Sequence, residues 1–165
     1  MTDPVAIVQP SPTEVSGSIV VAAPSELLYN MISDIGRMGE WSPACRTCWW
    51  DEESGPTVGS WFTGRNEVEG RDPWETRSQI VAADPAREFA WAINGNMVRW
   101  GYTFEPVDSG TRVTESWAVL PAGVEGFKAY FEDVDAGIAL RAGDAREGIS
   151  HTLAELKAAA EAIAQ

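Results

Sequence analysis

Apolar and polar residues alternate over much of the first two thirds of the chain, which is typical of strands. The segment 14–22 alternates first, so that Val15, Ile19 and Val21 share one face. Several connections between the apolar segments are short and rich in Asn, Asp, Gly and Pro, and short connections join antiparallel neighbours. The pattern therefore predicts a seven-stranded antiparallel sheet. Its other six strands are expected at 45–52, 58–68, 73–83, 88–93, 97–105 and 111–120.

Apolar residues at helical spacing appear in two other places. After the first strand they predict a helix that begins at Pro24 and ends near Asp34, and then a second short helix over 37–41. In the last third, an apolar stripe of about 25 residues predicts a long amphipathic helix. The members of the stripe are Ile138, Ala142, Ala145, Ile149, Leu153, Leu156, Ala160 and Ile163. Residues 1–13 hold three prolines and no periodicity, which predicts a flexible tail before a single domain over 14–165.

These elements combine into an α+β fold. A helix of about 25 residues is about 38 Å long, enough to lie across one face of a curved seven-stranded sheet. We expect the two short helices to follow the first strand, and we expect the long C-terminal helix to pack across the concave face of the sheet. A helix held diagonally over a concave surface leaves space beneath it, so the fold predicts a cavity.

The aromatic composition agrees with a lined cavity but does not require one. The chain has eight Trp, five Phe and three Tyr residues. The indole N–H needs a hydrogen-bond partner, so Trp is less suited than Leu to filling a dry core. A Trp-rich core would give the same composition, and both interpretations stay open.

The net charge and the sequence motifs disfavour several classes of binding partner. The net charge of -13 disfavours binding to nucleic acids and to anionic membrane surfaces. No apolar run is long enough for membrane insertion and no basic leader opens the chain, which predicts a cytoplasmic protein. The chain has one histidine and no phosphate-binding glycine motif, so the sequence gives no support for a metal site or a nucleotide cofactor.

Several motifs resemble the START-like, or SRPBCC, superfamily, and most closely its polyketide cyclase/dehydrase branch. The resemblance covers about residues 14–160 and implies the helix-grip fold. Members of the superfamily include lipid carriers, hormone receptors, ring hydroxylase subunits and cyclases, so the site must decide the function. The motifs are Ala23-Pro24-Ser25-Glu26, Met38-Gly39-Glu40-Trp41-Ser42-Pro43, Val58-Gly59-Ser60-Trp61-Phe62-Thr63-Gly64-Arg65-Asn66, Trp74 with Asp84-Pro85, and Gly110-Thr111-Arg112-Val113-Thr114-Glu115-Ser116-Trp117.

Strand alternation also predicts which side chains face the cavity. In the last strand Val113, Glu115, Trp117 and Val119 share a face, and this apolar set should face the helix. The same reasoning on the other strands, together with aromatic residues near the expected mouth, predicts a mostly aromatic pocket with a few polar groups. The candidate ligand-binding residues are Trp41, Phe62, Asn66, Trp74, Thr76, Ser78, Trp91, Trp100, Tyr102, Glu115, Trp117, Phe131 and Ile138.

Glu115 is the strongest candidate for a catalytic residue, and Tyr102 is the second. A desolvated carboxyl with a raised pKa can move a proton on a bound ligand. The alternative, which we favour, is a structural carboxyl hydrogen-bonded to Asn66 or to a nearby Tyr or Arg. Asn66 itself is suited either to a ligand oxygen or to an irregular strand edge.

Two other features have plainer interpretations. Cys45 and Cys48 form a C-x-x-C motif, but residues i and i+3 of a strand point to opposite faces, so we interpret them as ordinary small residues. His151 lies off the apolar stripe and is expected to face solvent, which argues against a Ser/His/Asp triad. The aromatic residues near the expected mouth fit a lid, core or dimer contact, and a homodimer stays open. These residues are Trp41, Phe127, Tyr130 and Phe131.

The sequence thus predicts a module that binds a small hydrophobic or aromatic molecule, lipid-like or polyketide-like, in an internal cavity. The first alternative is a cyclase, aromatase or dehydratase that uses acid and base groups of the pocket. The second is a protein-interaction or stress-response module.

Overall fold

Eight strands form one curved antiparallel sheet in the order β1-β2-β8-β7-β6-β5-β4-β3. The computed structural model describes residues 4–52 and 55–165. Two short helices follow the second strand and a long helix ends the chain, so the predicted helix-grip fold is confirmed. The elements are β1 (Ala6–Ser11), β2 (Glu14–Val21), α1 (Ser25–Ser33), a 3₁₀ helix (Ile35–Glu40), β3 (Cys45–Trp50), β4 (Trp61–Asn66), β5 (Trp74–Asp84), β6 (Glu88–Ile93), β7 (Val98–Val107), β8 (Gly110–Val119), α2 (Pro121–Phe127) and α3 (Val134–Ala164).

The eighth strand is β1, which lies inside the segment predicted as a flexible tail. It pairs antiparallel with β2, with Ile7 opposite Gly17. The prediction was wrong for residues 6–11, because this edge strand is mostly exposed and shows no apolar face that a periodicity would detect. Pro10 is tolerated there because an edge strand leaves one side of its backbone unpaired.

The long helix α3 begins at the cap residue Asp133, whose side chain accepts a hydrogen bond from the backbone N–H of Ala136 at 3.0 Å. Seven of the eight predicted stripe residues are buried in the core. Ile163 is the exception at 53% exposed, so the buried stripe ends at Ala160. The helix approaches β2 closely at Gly17, where a Cβ would lie only 2.6 Å from Cγ2 of Ile149.

The position of α3 determines where the site lies. The helix packs against β2 and β8, while α1 and the 3₁₀ helix cover β6, β7 and β3 from the other end. Strands β4, β5 and β6 have no comparably close contact with α3. The concave surface is therefore packed tightly on one side and left open on the other.

Candidate functional site

A cavity of about 680 Å³ lies between the concave face of the sheet and α3. This volume falls within the range of small-molecule sites, and the wall combines aromatic rings with a few polar groups. The predicted cavity is therefore present. Ten of the 13 candidate ligand-binding residues line it: Phe62, Asn66, Trp74, Thr76, Ser78, Trp91, Trp100, Tyr102, Glu115 and Trp117.

The structure does not bring the other three candidates to the cavity wall. Trp41 follows the 3₁₀ helix, is only 2% exposed and packs in the core. Phe131 stacks on Phe127, with ring centroids 5.6 Å apart, and fills the space beside Gly137. Ile138 is buried in the core near the start of α3. Helical or loop position does not reveal whether an aromatic or aliphatic side chain turns toward a cavity or away from it.

Other residues of the cavity wall were not among the candidates. Most of them come from the 3₁₀ helix, β3, the loop after β4, and the face of α3 next to the apolar stripe. His151 is exposed, as expected, but it also borders the cavity. The α3 members recur at three- and four-residue spacing, which is the signal that would have found them. The main additions are Met38, Cys45, Cys48, Arg71, Arg141, Asp144, His151 and Thr152.

Glu115 and Tyr102 form the buried polar centre of the cavity. They stand directly opposite each other in the β7–β8 pairing, so both side chains point to the concave face. The Tyr102 hydroxyl donates a hydrogen bond to Oε1 of Glu115 at 2.8 Å. Glu115 is 3% exposed and Tyr102 is 4% exposed, which confirms that Glu115 faces inward. Oε2 of Glu115 is buried and has no hydrogen-bond partner among the described residues.

Burial controls the protonation of this pair. It raises the pKa of Glu115 to about 8, although the hydrogen bond from Tyr102 acts in the opposite direction. Burial also raises the pKa of Tyr102 well above its ordinary value, and the neighbouring Glu115 adds to that shift. Near neutral pH Glu115 is therefore mostly protonated, with Oε1 accepting the Tyr102 hydrogen bond.

Asn66 is held by its own strands rather than by Glu115. Its side-chain Nδ2 donates to the carbonyl oxygens of Gly64 and Trp74 at 3.4 and 3.5 Å, and to Oγ1 of Thr76 at 3.3 Å. These contacts tie β4 to β5 at the cavity wall. Asn66, a tyrosine and an arginine were the hydrogen-bond partners predicted for Glu115. The structure shows the tyrosine, Tyr102, in this role.

The comparisons with known proteins agree with this geometry. The sequence model of the family described as polyketide cyclase / dehydrase and lipid transport matches residues 12–161. The chain belongs to this family.

Several solved structures have the same fold. The Polyketide_cyc-like protein Cgl2372 of Corynebacterium glutamicum is 42% identical, over 95% of this chain and 96% of its own, with a TM-score of 0.68. Protein Ms6760 of Mycobacterium smegmatis is 19% identical, over 97% and 99%, with a TM-score of 0.69. The di-domain ARO/CYC StfQ of the steffimycin biosynthetic pathway is 15% identical with a TM-score of 0.72; the match covers 92% of this chain but 51% of StfQ. No curated protein sequence matches the chain significantly.

In this polyketide cyclase/dehydrase family member, a cluster of charged residues crosses one side of the cavity opening. Arg71, in the loop after β4, donates to Oδ2 of Asp144 on α3 at 2.9 Å, and Arg141 donates to the same oxygen at 3.1 Å. All three side chains are partly exposed. We call Arg71, Arg141 and Asp144 the mouth cluster, because it joins the sheet side of the cavity to α3.

The two cysteines lie together on the cavity wall, which corrects the expectation that they face opposite sides. A register shift between Cys45 and Thr47, in the pairing of β3 with β4, adds one residue and turns Cys45 to the same face as Cys48. The two Sγ atoms are 2.7 Å apart. Alternation alone cannot reveal such a bulge.

Two further observations concern metal ions and membrane-spanning helices. Among the described residues, no three His, Cys, Asp or Glu side chains gather closely enough to hold a metal ion. Each helix of that part of the chain is too short or too polar to cross a bilayer.

Proposed function

We propose that this protein binds a small hydrophobic or aromatic molecule, lipid-like or polyketide-like, in the cavity beneath α3. The observation that carries the proposal is a cavity of about 680 Å³ whose aromatic wall surrounds one buried polar pair, Glu115 and Tyr102. Aromatic walls favour a ligand with rings or long apolar segments, since each buried Å² of apolar surface contributes about 25 cal/mol. The family description, which names both cyclases and lipid transport, supports the same class of ligand.

The polar pair adds a requirement to the ligand. Glu115 lines the cavity, and its Oε2 lacks a partner among the described residues. In its protonated form the carboxyl donates a hydrogen bond, so it suits a ligand that carries a carbonyl or phenol oxygen. The ligand class that fits best is therefore an aromatic or polycyclic compound with at least one oxygen acceptor.

Prodan, a neutral naphthyl ketone whose emission depends on polarity, has these properties and tests the proposal. We expect its emission to shift to the blue and to saturate at one molecule per chain. The melting temperature should rise with its concentration, because a ligand at 100 times its Kd stabilises the folded state by about 2.7 kcal/mol. If prodan and a panel of neutral aromatic ketones and fatty acids leave both the emission and the melting temperature unchanged, the proposal fails.

The mouth cluster is expected to slow exchange of the ligand. Asp144→Asn removes both ion pairs of the cluster, so the rates at which prodan enters and leaves should both rise, by up to about 5-fold. Stopped-flow fluorescence measures the two rates. Glu105→Gln is the matched control, because it breaks an exposed ion pair with Arg112 outside the cavity wall. Equal rates for the wild type and Asp144→Asn would contradict the assignment.

A cyclase, aromatase or dehydratase activity is the second candidate. It is favoured by a carboxyl whose pKa of about 8 lets Glu115 give or take a proton near neutral pH, with Tyr102 bonded to it. We rank binding first because the amide of Asn66, the other polar candidate, is already bonded to its own strands. Glu115→Gln separates the two roles, as developed in the Discussion.

A further inference from the structure

We propose that Cys45 and Cys48 are a redox modification site in the cavity wall, where a hydroperoxide converts the two thiols into an intramolecular disulfide. The site lies apart from the Glu115–Tyr102 pair, and it does not depend on which ligand the cavity binds. Both cysteines are free thiols in the structure. Both line the cavity, so a small oxidant reaches them by the same opening as a ligand.

The backbone brings the sulfur atoms nearly to bonding distance. The bulge in β3 places the two Sγ atoms 2.7 Å apart on one face, whereas a disulfide bond is about 2.05 Å long. A shift of less than 1 Å therefore joins them. Gly64, across the pairing in β4, leaves room for this movement: a Cβ there would lie 3.3 Å from Sγ of Cys48 and 3.5 Å from Sγ of Cys45.

The two thiols titrate as a pair. The hydrogen bond between them lowers the pKa of Cys45 and, together with burial, raises the pKa of Cys48. The first ionisation of the pair leaves one proton shared between the two sulfur atoms, and the thiolate so formed is the species that attacks a peroxide. The second thiol keeps its proton until the first has reacted.

The reaction proceeds in two balanced steps. The thiolate of the pair attacks the terminal oxygen of the hydroperoxide: an S–O bond forms, the O–O bond breaks, and the leaving alkoxide or hydroxide takes up a proton. The sulfur of the second cysteine then attacks the oxidised sulfur, the S–S bond forms, and the hydroxyl leaves as water with the proton of the second thiol. Two thiols and one hydroperoxide thus give one disulfide, one alcohol or water molecule, and one further water.

The reaction is expected to be reversible in the cell. In the predicted cytoplasmic location, cellular thiols would return the disulfide to the reduced form. The modification is therefore expected to follow exposure to peroxide rather than to persist.

Intact-mass spectrometry of the full chain tests the proposal. After treatment with hydrogen peroxide, the reduced protein should lose two hydrogen atoms and both titratable thiols, and dithiothreitol should restore both. On a non-reducing gel the oxidised protein should migrate as a single chain. Retention of both thiols, or loss of thiols only through cross-linked dimers, would overturn the proposal.

Two variants isolate the first step. Cys48→Ser and Cys45→Ser each keep one thiol and have no second thiol with which to form the disulfide, so each should stop at a sulfenic acid, which dimedone traps as a stable adduct. In the wild type the disulfide should form before dimedone reacts. Dimedone labelling of the wild type to the level of either variant would contradict the proposal. Because the wild-type measurement needs no variant, the test stands even if one substitution prevents folding.

Discussion

Thr76→Phe is expected to weaken prodan binding by about 10- to 100-fold, which corresponds to about 1.4 to 2.8 kcal/mol. Thr76 lies on β5 and lines the cavity. A phenyl ring at this position projects into the space that the ligand is proposed to occupy, between the sheet and α3. A fluorescence titration measures the loss directly.

Two matched variants separate filling of the cavity from other effects of Thr76→Phe. Thr76→Val removes the hydroxyl that accepts the hydrogen bond from Asn66 but keeps the size of the side chain, so it should bind prodan nearly as well as the wild type. Thr103→Phe makes the same change on β7 at an exposed position and should leave affinity unaltered. Equal affinities for Thr76→Phe and Thr103→Phe would show that prodan binds elsewhere.

Glu115→Gln is expected to remove a large dependence of stability on pH. The pKa of Glu115 is about 8 in the folded protein, against an ordinary value of 4.5. Between these values the folded state holds a proton that the unfolded state releases. The stabilisation that protonated Glu115 gives the folded state over the unfolded state is therefore fully present below about pH 4.5. It is lost as the pH rises through about 8. For a fully buried group with this shift, the change in the free energy of unfolding is on the order of 4 kcal/mol.

Urea denaturation at pH 5 and pH 9 checks this expectation. The difference in unfolding free energy between the wild type and Glu115→Gln should shift in favour of the variant at the higher pH. The other titrating groups are common to both proteins and cancel in the comparison. Tyr102, whose pKa Glu115 helps to raise, stays protonated in the folded state at both pH values because burial alone also raises its pKa. The same difference at both pH values would show that Glu115 keeps an ordinary pKa.

The same variant distinguishes a carrier from an enzyme. If Glu115 transfers a proton, turnover on a true substrate should fall by about 10² or more in Glu115→Gln, while ligand affinity changes modestly. If the carboxyl is structural, Glu115→Gln should cost little, and Glu115→Ala should destabilise the fold by about 1–3 kcal/mol by leaving the Tyr102 hydroxyl without its partner. We expect the second outcome.

The sequence predicted the interior of the cavity well because alternation is reliable in regular strands. Tyr102 and Glu115 pair directly across β7 and β8, so placing each strand correctly was enough to place both side chains inside. Trp91, on β6, follows the same rule. The apolar stripe and the length of the long helix already placed it across the concave face, the resemblance to the helix-grip proteins implied the same packing, and the comparisons confirm that family.

The parts that the sequence did not predict have local physical causes. The bulge beside Cys45 changes the face of one residue without changing composition or period. Strand β1 is mostly exposed and has no apolar face to detect. Ile163 continues the helical spacing, but spacing does not show where the packing partner of a helix ends. The charged face of α3 around Asp144 looks like solvated surface until the sheet is placed opposite it.

A crystal structure of the protein with prodan tests the central claim most directly. The proposal predicts the naphthyl ring between α3 and strands β4 to β8, in contact with Trp91 and Trp100, and the ketone oxygen within hydrogen-bond distance of Glu115. Prodan bound only on the outer surface, with side chains filling the space beneath α3, would contradict the claim.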